Sequence, residues 1–250
     1  MPTLPTVVAI HSGGFTSRQW KKLGKLLEPS YQVIAPDLIG YGAERWPAGE
    51  PFHFRADVAR LAQLVPGPAH LVGHSYGGFL AAQLALERPE LVRSLVLYEP
   101  VTFGVLDEPG DAQARAAIGQ LPAYQPDASG VDEAWLARFV DWWQGTGAWS
   151  GLAEPTRQAF RDTGWKLSEE VASLTADRTD RARYATITAP TLVLGGERSP
   201  AAELHVLAKL AATLPHATLR LFPELGHMGP VTAPDVVNAA IAAHLAAQPA

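Results

Sequence analysis

The chain predicts an α/β protein built on a parallel sheet, and three observations carry that prediction. Six short apolar runs alternate with helix-like segments along the 250 residues. One of these runs leads straight into Gly73-His74-Ser75-Tyr76-Gly77 and then into a helical pattern. The alternation stops between residues 103 and 186, where no strand-like run is visible. Strands this apolar, joined by helical crossovers, pack in parallel with both faces covered.

Taken in order, Thr6–Ile10 reads as a strand and Ser17–Leu27 as an amphipathic helix. Tyr31–Ala35 is a strand ended by Pro36-Asp37, and Arg55–Val65 is a helix stopped by Pro66-Gly67-Pro68. Ala69–Gly73 is the strand into the serine turn, and Tyr76–Arg88 is the helix out of it. Ser94–Tyr98 and Thr191–Gly195 are strands, followed by a helix from about Ala201 to Thr213. Ala217–Phe222 is the last strand, and Pro234–Ala247 is the closing helix. Ligands of such sheets bind at the carboxyl ends of the strands, and Ser75 follows one of those ends.

Five of the seven tryptophans fall in the interrupting stretch: Trp135, Trp142, Trp143, Trp149 and Trp165. The expected division is therefore a core of residues 1–102 and 187–250, with 103–186 as a mostly helical cap inserted between the fourth and fifth strands. Some of these rings are expected to pack the insertion against the sheet. Others, Trp142 and Trp143 among them, are expected to line an apolar pocket over the strand ends.

Charge and composition narrow the class. A net charge of −5 argues against nucleic acid or an anionic membrane as partner. The absence of cysteine rules out disulfides, thiolate metal sites and a cysteine nucleophile. Met1-Pro2-Thr3-Leu4-Pro5 has neither a basic start nor an apolar core, so no secretory signal is expected and a cytoplasmic location is the default. No apolar run approaches the ~18 residues that cross a bilayer. Oligomeric state is left open.

The strand–turn–helix around Ser75 carries the chemistry. Gly73 and Gly77 permit close backbone approach, and the turn lifts the serine Oγ clear of the sheet. A serine hydroxyl attacks only when a base takes its proton, so the motif demands a histidine elsewhere. His227, in Gly226-His227-Met228-Gly229 between the last strand and last helix, has the right context. His205, His216 and His244 read as surface residues, His53 and His70 lack a partner pattern, and His74 neighbours Ser75 and points elsewhere. The first strand ends in His11-Ser12-Gly13-Gly14, whose Gly13 amide can pair with the Tyr76 amide to hold a developing oxyanion. The Ser12 hydroxyl is a further donor for substrate.

Together these residues resemble the α/β-hydrolase fold family. The matching motifs are His11–Gly14, the run Ala35-Pro36-Asp37-Leu38-Ile39-Gly40-Tyr41-Gly42, the elbow Gly73–Gly78, and Gly226-His227, spread over nearly the whole chain. The resemblance implies a six-stranded parallel sheet of order 4-3-5-6-7-8 in the family's naming, its first two strands missing here, with a cap between strands six and seven. In the family, Asp37 is structural.

The acid is where the chain departs from that pattern. The family commonly places Asp just after the seventh strand, and here the segment reads Leu194-Gly195-Gly196-Glu197-Arg198-Ser199-Pro200, with Ser199 at the expected position. Three options stand: Glu99 at the end of the sixth strand, Glu197 after a loop shift, or no acid at all. Glu99 is preferred because strands six and seven are neighbours, and some relatives, haloalkane dehalogenases included, carry the acid there.

The expectation is a serine hydrolase that cleaves a carboxylic ester or related acyl bond through an acyl-enzyme on Ser75, with no metal and no cofactor. Serine at the turn argues against dehalogenase or epoxide-hydrolase chemistry. Met228 beside His227 argues against hydroxynitrile lyase chemistry. The alternatives are a small-molecule receptor or scaffold of the same fold with little turnover, and a cofactor-free perhydrolase.

Overall fold

The structure, a computed structural model, describes residues 4–43 and 45–248. Residues 1–3, which carry part of the reading of the N-terminus, lie outside the described residues. In chain order the regular elements are β1 (Thr6–Ile10), α1 (Lys21–Leu27), β2 (Gln32–Ile34), α2 (Arg55–Leu64), β3 (Ala69–His74), α3 (Tyr76–Glu87) and β4 (Val92–Tyr98). Then come α4 (Ala112–Ile118), α5 (Glu133–Gln144), α6 (Ala148–Gly151), α7 (Glu154–Ala176) and α8 (Arg181–Tyr184). The chain closes with β5 (Thr191–Gly196), α9 (Ala201–Thr213), β6 (Ala217–Phe222), α10 (Gly229–Thr232) and α11 (Pro234–Ala246).

The strands form one parallel sheet in the order β2-β1-β3-β4-β5-β6. This is the order expected from sequence. Successive side chains of a strand point to opposite faces, and here both faces are apolar. Val8, Ile10, Leu71, Leu95, Leu97 and Val193 enter one core with α2, α3 and α9. Val7, Ala9, Val72, Val96, Leu192 and Leu194 enter the other with α1 and α11. The four central strands therefore read as continuous apolar runs.

Three expectations need adjustment. The first helix begins with a tighter turn over Ser17–Trp20, and β2 spans three residues rather than five. The edge strand β6 is not covered on both faces: Thr218, Leu219 and Arg220 are exposed. The charged Arg220 sits on an edge that would otherwise offer itself for pairing.

Among the described residues, those between β4 and β5 form helices and turns with no strand. They hold a core of their own, in which Trp135, Leu136, Val140, Trp149, Phe160 and Leu167 pack together. Trp143 and Leu174 join the main core instead.

Candidate active site

Ser75 stands between β3 and α3 with φ 54° and ψ −121°, a backbone conformation that costs of order 1–3 kcal/mol for a residue with a side chain. The turn is held because its neighbours leave no alternative. A Cβ on Gly73 would overlap the Gly77 carbonyl, and a Cβ on Gly77 would overlap the Ile10 carbonyl. The Ser75 amide extends the ladder by donating to the Tyr98 carbonyl at 2.9 Å.

His227 lies on the loop between β6 and α10. Two side chains hold that loop. The Tyr98 hydroxyl donates to the Gly226 carbonyl at 2.8 Å, and His74 Nε2 donates to the carbonyl of His227 itself at 2.8 Å. His74 Nδ1 then accepts from the Gln19 amide at 3.1 Å. Burial, and then the neighbouring His227, keep His74 well below the ordinary imidazole range, so it remains neutral and can serve both bonds. Sequence reasoning set His74 aside because it neighbours Ser75. Its side chain does point away from Ser75, but it reaches the backbone of the expected base.

Three side chains from three loops form one hydrogen-bonded chain. Ser75 Oγ lies 3.0 Å from His227 Nε2, and His227 Nδ1 lies 2.7 Å from Glu99 Oε2. The chain is satisfied when Nδ1 carries the proton and Nε2 accepts from the serine. Glu99 also has positive φ, 45°, and its amide donates to the Leu194 carbonyl at 2.9 Å. Its second oxygen accepts from the Gly196 amide at 2.8 Å and the Ser199 hydroxyl at 2.6 Å. Glu197 is exposed and does not enter this chain. Ser199 and Gly196 were not expected as partners of Glu99; the Gly-Gly-x-x-Ser spacing after β5 is their only signal in the sequence.

Beside Glu99 lies a second buried carboxyl, Glu203 on the first turn of α9. Burial, and then the Glu99 charge, push it well above the ordinary carboxylate range.

Above the serine is a cavity of about 400 Å³ lined by Ser12, Gly13, Ser75 and Tyr76 from the sheet and by residues of the inserted helices. Among the described residues neither the Gly13 nor the Tyr76 amide donates to a protein acceptor; Tyr76 opens a helix, where the first amides have no partner within the helix. The Ser12 amide donates to Gln19 at 3.1 Å, and its hydroxyl turns to the Gly13 carbonyl at 3.4 Å. Trp142 and Trp143 both border the cavity. Trp143 also stacks on His227, with ring centroids 3.6 Å apart and planes inclined by 18°. Trp135 and Trp149 pack inside the insertion, and Trp165 donates to the Glu50 carbonyl.

A buried charged cluster supports the same corner. Lys166 and Glu170, one turn apart on α7, form an ion pair, and Lys166 lies 3.4 Å from Asp57. Tyr41 donates to Glu170 at 2.8 Å and accepts from the Gly14 amide at 3.0 Å. Tyr76 donates to Asp57 at 3.0 Å. Burial raises Glu170 to about 7, against the opposing pull of Lys166. Nothing in the sequence reading pointed to this cluster, because a Lys–Glu pair at this spacing on a helix ordinarily faces water. Among the described residues no group of three or more His, Cys, Asp or Glu is placed to hold a metal ion, and no helix is long and apolar enough to cross a membrane.

Comparison with known proteins agrees with this architecture. Lipase LipV of Mycobacterium tuberculosis is 31% identical over 96% of this chain and 92% of its own length. A pimeloyl-[acyl-carrier protein] methyl ester esterase of Chromobacterium violaceum is 31% identical over 98% of this chain and 95% of its own. Among solved structures, MenH from S. aureus superposes with a TM-score of 0.72, covering 98% of this chain and 94% of that one at 18% identity, a likeness of fold. A model of the alpha/beta hydrolase family matches residues 7–240. The sheet order, the serine turn and these matches together make the chain a member of the alpha/beta hydrolase family.

Proposed function

We propose that the protein is a serine hydrolase that cleaves a carboxylic ester through an acyl-enzyme on Ser75. The observation that carries this reading is the unbroken hydrogen-bonded chain from Ser75 through His227 to Glu99. His227 Nε2 takes the serine proton as Oγ attacks the carbonyl carbon, and Glu99 orients the imidazole and stabilises its positive charge. The Gly13 and Tyr76 amides receive the oxyanion. Collapse of the tetrahedral intermediate expels the alcohol, which takes the proton from His227. Water, deprotonated by the same imidazole, then releases the acid and restores Ser75.

Residues 103–186 act as a cap over this centre. They bring Trp142 and Trp143 to the cavity, and they keep bulk water from the acyl-enzyme. Two relatives of about 31% identity over nearly the full chain are named a lipase and a methyl ester esterase, which favours esters among acyl bonds.

A fluorophosphonate probe tests the reading. Wild type is expected to label covalently and to hydrolyse short p-nitrophenyl esters, and Ser75→Ala to do neither. A wild-type protein that neither labels nor turns over any ester above the Ser75→Ala background is a binding protein of this fold instead.

A further inference from the structure

Glu170 is the buried charged side chain of the cavity wall. Of the three charged residues that line the space, Arg138 is exposed, and Asp141 is occupied by the Gly147 and Trp149 amides at 2.9 and 2.8 Å. Glu170 is 1% exposed, yet it borders the cavity from α7, on a stripe shared with Leu167, Val171 and Leu174. It also stands against the oxyanion corner: a Cβ placed on Gly13 would lie 2.9 Å from its Oε2.

Two features of its surroundings indicate a missing partner. The first is charge. Lys166 is a single ammonium shared between two carboxylates, Asp57 and Glu170. Burying a charge is costly unless it is paired and hydrogen-bonded. The second is acceptor capacity. A carboxylate accepts about four hydrogen bonds. Among the described residues, Glu170 receives one from Lys166 on Oε1 and one from Tyr41 on Oε2. Glu170 borders the cavity beside the apolar Leu121, Leu167 and Leu174.

We infer that Glu170 is a specificity residue that accepts a hydrogen bond from an N–H or O–H group carried on the acyl part of the substrate, close to the scissile carbonyl. The substrate class is then an amino- or hydroxy-acyl ester rather than a plain alkyl ester. This deepens the serine-hydrolase reading and rests on it. A donor on the acyl chain meets Glu170 when the carbonyl oxygen occupies the Gly13–Tyr76 corner, so recognition and orientation of the reacting carbon are coupled.

The experiment compares ethyl propanoate with ethyl 3-aminopropanoate and ethyl 3-hydroxypropanoate at mildly alkaline pH, above the range in which Glu170 titrates. Wild type is expected to favour at least one donor-bearing ester in kcat/KM by about tenfold or more, the worth of one hydrogen bond to a charged group. In Glu170→Gln the ratio of donor-bearing to alkyl ester should fall by about the same factor. Loss on the amino ester alone identifies an ammonium partner, and loss on both identifies a general donor. Equal rates for all three esters in wild type, or a parallel loss on all three in Glu170→Gln, would overturn the inference and leave Glu170 a structural residue. Calorimetric binding of the same esters to Ser75→Ala reads the preference without turnover. Fluorophosphonate labelling of wild type separately reports whether the serine-hydrolase reading itself holds.

Discussion

The Ser199 hydroxyl donates a 2.6 Å hydrogen bond to Oε1 of Glu99. Ser199 lies on the loop that follows β5, and Glu99 follows the neighbouring strand β4. Because β4 and β5 pair in parallel with Tyr98 beside Leu194, both loops leave the sheet side by side. The Glu99 carboxylate therefore meets His227 on one oxygen and Ser199 on the other.

This relation makes the acid assignment sharp. Glu99→Gln should lower kcat by about 10⁴-fold, because an amide can hold the imidazole in the wrong tautomer and carries no charge to stabilise it. Glu197→Gln should leave kcat near wild type, since Glu197 is exposed. Steady-state kinetics on one p-nitrophenyl ester decides between them, and the reverse order of severity would sink the assignment.

Ser199→Ala removes one hydrogen bond to a buried carboxylate while Gly196 keeps the other. Such a bond is worth about 1.5–3 kcal/mol, so kcat/KM should drop roughly tenfold or more with KM little changed. Combining Glu99→Gln with Ser199→Asp should recover part of the activity lost in Glu99→Gln alone, because it returns a carboxylate to the adjoining loop. No gain in the double variant would show that this loop cannot present an acid to His227.

Trp143 lies flat against His227. An aromatic face over a cation is worth about 0.5–2 kcal/mol, and in the proposed mechanism the imidazole gains a positive charge when it takes the serine proton. Trp143→Ala should therefore reduce kcat/KM about tenfold, and Trp143→Phe should retain most of the rate. If the Phe variant is as impaired as the Ala variant, ring stacking is not the cause.

His11 and Glu170 contribute to stability against acid in opposite directions. His11 Nε2 accepts from the Leu38 amide at 3.0 Å, and burial lowers its pKa from 6.5 to about 4. Between those values the unfolded chain binds the proton and the folded one does not, so stability falls as pH drops through this window, by about 3 kcal/mol in all. Glu170 acts the other way. Its pKa is raised to about 7, so the folded state binds the extra proton and gains stability on the same descent. Urea unfolding between pH 7 and 4 should show a shallower acid loss in His11→Gln than in wild type, and a steeper one in Glu170→Gln. Parallel curves for all three proteins would contradict both assignments.

Local pattern was enough for the sheet and for two of the three residues in the Ser75–His227–Glu99 chain. Apolar runs of five to seven residues report strands buried on both faces. Gly73 and Gly77 report a turn in which no Cβ fits, and Gly226-His227 after the last strand reports a histidine at the carboxyl edge. These features are written within a few consecutive residues each. Glu99 was legible only as one of three options, because its partner lies 128 positions away and the choice depends on which strands are neighbours.

Other contacts required the tertiary structure alone. The Ser199–Glu99 bond, the His74 hold on the His227 carbonyl, the Trp143 stack and the Lys166–Glu170–Asp57 cluster each join segments far apart in the chain. Side-chain identity states what a residue can donate, accept or cover. Which partner it meets is decided by how the helices of residues 103–186 pack over the sheet, and that packing follows from shape complementarity summed over many contacts rather than from any local period.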